Sequence, residues 1–142
     1  MRASIKQAAE KGMPIYAEAG GYMYLMHSLP DVTGTDYAMC EVLPGKAAMK
    51  EKLQMVGYVE AELMGDTVLG KAGTKLRGHE FHFSQDEAEG ESPFRFKKLR
   101  TGECYEAGES RKNVLGSYLH LHFAGCPEAA AHFVEACSAW AR

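Results

Sequence analysis

Two stretches of this 142-residue chain place chemically able side chains at close spacing. In Gly116-Ser117-Tyr118-Leu119-His120-Leu121-His122-Phe123, strand alternation puts Leu119, Leu121 and Phe123 on one side and Tyr118, His120 and His122 on the other. Two imidazoles on one surface can chelate a metal, or can set one base beside an orienting partner. In Arg77-Gly78-His79-Glu80-Phe81-His82-Phe83-Ser84, the same alternation groups Glu80, His82 and Ser84 against His79, Phe81 and Phe83. This is not the helical His-Glu-x-x-His spacing of zinc proteases. If the two strands are neighbours, Glu80, His82, His120 and His122 can cluster; the alternative for His79, Glu80 and His82 is a set of satisfied, buried groups beside Phe81 and Phe83.

A third stretch has the right backbone but no reactive side chain. The run from Met13 to Glu18 is β-prone, Ala19-Gly20-Gly21 makes a turn, and the segment from Tyr22 toward Pro30 resumes apolar character at helical spacing. A strand that turns sharply into a helix exposes the turn residue and sets backbone N–H groups behind it, a geometry suited to a nucleophile. The turn residue here is Ala19, and taken alone the segment reads as an ordinary packing turn. Glu18 reads as an anchor of the turn by hydrogen bonding, and Tyr22, Met23, Tyr24 and Met26 as the core face of the helix.

The remaining elements must hold these stretches in place. Ile5, Ala8 and Ala9 predict a helix over 2–12, closed by Gly12 and Pro14. Residues 32–45 read as loop around a short strand at Met39–Leu43. Strands are expected over 53–63, 76–84 and 94–99, the last with Phe94 and Phe96 on one face. Residues 85–92 read as an acidic surface loop, 100–112 as a polar turn region, and 113–123 as one continuous strand. Pro127 opens a closing helix with a stripe of Phe133, Val134, Cys137 and Trp140.

Composition narrows the classes. A length of 142 residues suits one compact domain. Sixteen Lys and Arg against 19 Asp and Glu give a net charge of −3, which offers no basic excess for nucleic acid. No apolar run approaches the roughly 18 residues a spanning helix needs, and the first residues lack a signal-peptide core, so neither membrane insertion nor export is expected. Cys40, Cys104, Cys126 and Cys137 lack Cys-x-x-Cys spacing, so reduced thiols and a cytoplasmic location are the expectation.

The order PIYAE-Ala19-GGYMYL, VLPG, LQMVGYVEAEL, LRGHEFHFS and GSYLHLHF resembles the C-terminal glutaminase domain of the cobyrinic acid a,c-diamide synthases, of the class I glutamine amidotransferase type. The likeness covers nearly the whole chain. Cobyric acid and nickel-sirohydrochlorin a,c-diamide synthases are near relatives, with R-G-H-E-F-H and S-Y-L-H-L-H leaning toward the first family. The resemblance implies an α/β, flavodoxin-like three-layer fold with a mixed sheet, in one N-terminally truncated domain over 1–142 that lacks its first strands. It implies that an elbow cysteine attacks the glutamine carboxamide, that a histidine activates the thiol, and that ammonia passes to a synthetase domain using ATP and Mg²⁺.

Carried onto this sequence, the nucleophile position is Ala19, the oxyanion donor is Gly20 with Gly21 beside it against substrate, and the base is His120. His122 falls where triad relatives have glutamate. No cofactor and no metal is expected in this chain, because the resemblance assigns ATP and Mg²⁺ to the missing synthetase domain and no Gly-x-x-x-x-Gly-Lys-Ser/Thr loop occurs. The expected partners are glutamine, that synthetase domain and, through sheet edges left open by truncation, a second copy of the chain. Ala19 replaces the thiol either by introduced substitution or by natural loss, so the chain as it stands is expected to be inactive. The other readings are a non-catalytic binding domain and, ranked last, a metal-binding protein using His82, His120, His122 and Glu80.

Overall fold

A computed structural model describes all residues from Met1 to Arg142. The first helix, α1 (Arg2–Glu10), leads through Gly12 and Pro14 into β1 (Ile15–Glu18), and α2 (Gly20–Leu25) follows at once. Next come β2 (Ser28–Pro30), β3 (Asp36–Ala38), β4 (Lys46–Met49), β5 (Met55–Leu63), β6 (Lys75–His82) and β7 (Ser84–Glu87). The chain closes with β8 (Phe94–Lys98), β9 (Cys104–Ala107), β10 (Glu109–Arg111), β11 (Val114–Ser117), β12 (Leu119–Leu121), a short 3₁₀ turn at Phe123–Gly125, and α3 (Pro127–Trp140).

A mixed three-stranded sheet, in the order β1-β11-β10, is the frame of the elbow: β1 runs parallel to β11, and β10 antiparallel to it. Alternation sends the residues of this sheet to opposite faces. Ala17 and Val114 face a core built with Ala9, Tyr22, Leu25, Met26 and Leu43, while Leu115 and Tyr16 face a second core. That second core contains Val59, Ala61, Leu63, Phe94, Phe96 and Leu119, with Ala129 of α3 closing over it. Helices therefore cover both faces of the mixed sheet, which is the three-layer α/β arrangement expected of a partial flavodoxin-like fold. Most strands nevertheless lie in the antiparallel five-stranded sheet β12-β6-β5-β8-β9 and the pairs β2-β3 and β4-β7.

Several local expectations give way to this architecture. α2 ends at Leu25 rather than running toward Pro30, because the following chain folds back over its C-terminus. The N–H of Cys40 bonds the carbonyl of Tyr24, those of Val42 and Leu43 bond that of Leu25, and that of Glu41 bonds that of Met26. Residues 39–43 thus satisfy the open carbonyls of a helix end instead of forming a strand. The acidic stretch 85–92 is loop only in its second half, since β7 pairs along all of β4. The polar region 100–112 likewise contains β9 and β10, whose partners β8 and β11 supply the hydrogen bonds that its composition does not advertise.

The predicted strand over 113–123 is two strands in two sheets. β11 pairs with β1 and β10, whereas β12 pairs with β6. The change of sheet falls at Tyr118, which is buried, so Tyr118 does not share the exposed face of His120 as simple alternation predicts.

Candidate active site

Ala19 sits at the turn between β1 and α2 with φ 44° and ψ −107°, a left-handed conformation for a residue bearing a Cβ. Its N–H bonds the carbonyl of Ser117 at 2.9 Å, and its carbonyl accepts the N–H of Met23 at 3.0 Å. Both ends of the residue are thus pinned, one to β11 and the other to the first turn of α2, and the backbone between them stays in a conformation costing about 1–3 kcal/mol. A sharp, strained strand-to-helix turn of this kind lifts its tip side chain out of the sheet.

Behind the tip, Gly20 and Gly21 are exposed. A Cβ at Gly20 would meet nothing within 4 Å, and one at Gly21 would meet the Ala17 side chain at an ordinary 3.7 Å. Neither glycine is demanded by packing within the chain, so the space in front of Gly20 is open to solvent or a ligand. The N–H of Gly20, at the first position of α2, has no acceptor in the helix.

His120 reaches the same region from β12. The register sets Leu119 opposite Glu80, His120 opposite His79 and Leu121 opposite Gly78. Leu119 is fully buried, which turns His120 outward. Nδ1 of His120 lies 3.3 Å from Oε2 of Glu18, the residue immediately before the elbow. Oε1 of Glu18 accepts the N–H of Leu121 at 2.9 Å and the hydroxyl of Tyr16 at 2.8 Å. The Tyr16 phenol is held far above its usual range, first by burial and then by the adjacent Glu18 charge, so it acts as a fixed donor. Ala19 and His120 are thereby tied to each other through Glu18, the last residue of β1 and the direct neighbour of Ala19.

The other candidates separate. β12 and β6 are neighbours, as the clustering of histidines required, but the register defeats the cluster: Glu80 faces inward with Leu119, while His120 and His79 face outward. Glu80 is buried and accepts the hydroxyl of Tyr105, and burial raises its carboxyl above the ordinary range. His82 donates from Nδ1 to the carbonyl of Ser84 at 2.7 Å. His79 packs edge-on against Tyr58, with centroids 5.0 Å apart. His122 is exposed, precedes the 3₁₀ turn, and uses its carbonyl to hold that turn through the N–H of Gly125. Glu80 and His82 therefore do not join His120 in a metal-binding group, and no three His, Cys, Asp or Glu side chains assemble into one.

Sequence reasoning gave Glu18 only an anchoring role and missed its contact with His120. A glutamate directly before the turn, on a strand parallel to the one feeding the histidine, was the available signal. The contact depends on β1 and β11 being adjacent, a long-range pairing that neither segment states by itself.

Comparison with known proteins places the chain in a family. The description of the CobB/CobQ-like glutamine amidotransferase domain matches residues 1–127. A cobyrinate a,c-diamide synthase of Caldanaerobacter subterraneus is 40% identical over 100% of the chain, which spans 32% of that protein. One from Dehalococcoides mccartyi is 40% identical over 95% of the chain and 30% of its own length. One from Streptococcus sanguinis is 43% identical over 86% of the chain and 27% of its own length. The chain thus spans between 27% and 32% of the length of these relatives. No helix is long and apolar enough to cross a membrane.

Proposed function

Because the chain belongs to the CobB/CobQ-like glutamine amidotransferase family, we propose that it is the glutaminase portion of a cobyrinate a,c-diamide synthase, with its nucleophile position occupied by alanine. The observation that carries this reading is the strained elbow at Ala19, set beside His120 by the single residue Glu18.

The chemistry follows from what each position can supply. A thiol at position 19 would pass its proton to the free ring nitrogen of His120 and attack the carboxamide carbon of glutamine. The N–H of Gly20, free of any acceptor in the helix, would stabilise the oxyanion that forms, and Gly21 beside it would leave the backbone open to substrate. The protonated imidazole would return its proton to the departing nitrogen, releasing ammonia, and water would then cleave the thioester to glutamate. Ala19 has no atom that can form that bond, so in this chain the site is limited to holding glutamine.

Ammonia serves such an enzyme only if a second portion consumes it, and the relatives' greater length provides room for one. The reading assigns ATP and Mg²⁺ to that portion, where substrate carboxylates are activated for amidation, and none of the groups described above is needed to hold them. The sheet face bearing His120 also exposes Tyr58, Val56 and Phe81, at 67%, 56% and 51%, an apolar surface suited to cover by the remainder of the longer enzyme.

The test is Ala19→Cys in the longer protein. Glutamate release that appears with the thiol and disappears again on adding His120→Ala is the expected result. Zero release after restoration overturns the reading. Glutamine binding without turnover in the restored protein would instead favour a non-catalytic binding domain, the alternative that Ala19 itself suggests.

A further inference from the structure

We infer that Glu18 is the positioning residue for His120, taking from the elbow strand the place that a glutamate two residues after the histidine holds in triad relatives. The inference rests on the glutaminase reading for its catalytic meaning, but its geometry stands apart from it.

Position 122 offers an imidazole, not a carboxylate, and that imidazole is exposed on the chain leading into the 3₁₀ turn. A base needs an acceptor at one ring nitrogen if the other is to present a lone pair in a fixed direction. Glu18 is that acceptor. A carboxylate has no proton to offer, so the 3.3 Å contact with Nδ1 requires Nδ1–H on the neutral ring and leaves Nε2 unprotonated. The group facing His120 across the sheet is His79, whose ring is engaged with Tyr58.

Glu18 is itself immobilised. Oε1 is fixed by the Leu121 N–H and the Tyr16 hydroxyl, so Oε2 has one direction left. Leu121 follows His120 directly, so the same carboxylate holds both the ring and the backbone of the strand that carries it. Glu18 also precedes Ala19 directly, so the strand that fixes the nucleophile position fixes the base as well. One carboxylate thus sets the distance between two halves of a site drawn from chain segments about a hundred residues apart.

The first test uses the chain as it exists, with Ala19, and reads the ¹⁵N shifts of the His120 ring at alkaline pH. The Nδ1–H tautomer is expected, and Glu18→Gln and Glu18→Ala should both shift His120 toward the Nε2–H form that free imidazole prefers. Tyr16→Phe, which removes another bond to the same carboxylate, should leave the tautomer in place. An Nε2–H tautomer in the unaltered chain, or an equal change in Tyr16→Phe, overturns the inference.

The second test adds Glu18→Gln to the Ala19→Cys protein. A fall in kcat of about 10- to 100-fold with KM within twofold is expected, and a change in KM alone would refute the positioning role. Failure of the glutaminase reading would show as no turnover in Ala19→Cys itself, whatever the tautomer.

Discussion

The ring of His82 stacks on that of Tyr118, with centroids 3.8 Å apart and planes inclined by 10°. Tyr118 in turn meets Tyr22 edge-on at 5.4 Å, and the Tyr22 hydroxyl donates to Asp86 at 2.8 Å. His82 is therefore one end of an aromatic line running under the elbow helix, from the β6 end of the antiparallel sheet to α2. Its role is to join two layers of the fold. His82→Ala should cost about 2 kcal/mol, from the lost stacking and the lost bond to Ser84. It should leave the tautomer of His120 unchanged, and urea unfolding with ¹⁵N spectra measures both.

How far the sequence foretold this arrangement depends on whether the deciding contacts were local. The elbow was legible, because a β-prone run, two glycines and an apolar helix lie within a dozen residues. The alternation of β6 was legible too, and Glu80 and His82 do face away from His79 and Phe81. What was not legible is register between distant strands. Whether Glu80 could join His120 turned on a pairing that aligns Glu80 with Leu119, and nothing in either segment states that alignment. β9 and β10 were missed for the same reason, since polar residues become strands when neighbours supply the ladder.

Ala19 bears a Cβ in a conformation that glycine adopts without strain. Ala19→Gly should therefore raise stability by about 1 kcal/mol, the relief of strain exceeding the entropic cost of glycine. Ala17→Gly, two residues earlier in the regular part of β1 and buried, should lower it by a similar amount. Paired urea titrations compare the two; equal destabilisation by both would show that the elbow is not strained.

Gly78 governs how closely β12 approaches β6. A Cβ there would fall 2.5 Å from the carbonyl oxygen of His120 and 2.6 Å from Leu119 Cδ1. A backbone oxygen cannot give way as a flexible side chain can, so Gly78→Ala must push β12 outward. A loss of about 1–3 kcal/mol is expected, with amide shift changes at His120 and Leu121 exceeding those on the far edge at β9. Uniformly small shifts would refute this control of β12.

β1 is the outer strand of its sheet, bonded to β11 alone. An open edge beside apolar cores invites pairing with a second strand. The isolated chain should associate with itself, its mass in light scattering rising from 15.6 kDa toward twice that value between about 1 µM and 1 mM. A monomeric mass over that range refutes the expectation, and loss of association in a Tyr58→Ser, Phe81→Ser double variant would move the interface from the edge of β1 to the exposed face.

Glu109 is buried on β10, where Oε1 accepts the N–H of Gly45 at 3.1 Å and Oε2 has no partner. Burial, reinforced by the charges of Glu89 and Asp86, raises its carboxyl above the ordinary range despite the bond from Gly45. The sign follows: a carboxyl whose affinity for the proton is higher in the folded state stabilises the fold below its unfolded pKa, and that contribution disappears as pH rises through the folded value. Glu109→Gln keeps an acceptor for Gly45 and cannot ionise. Near pH 4 the variant and the parent should be of similar stability, and by pH 8 the variant should be ahead by about 1 kcal/mol or more, the cost of ionising a buried carboxyl that the amide avoids. Urea unfolding across that range measures the difference. A gap that stays constant with pH, or narrows as pH rises, would mean that Glu109 titrates as an ordinary solvated acid.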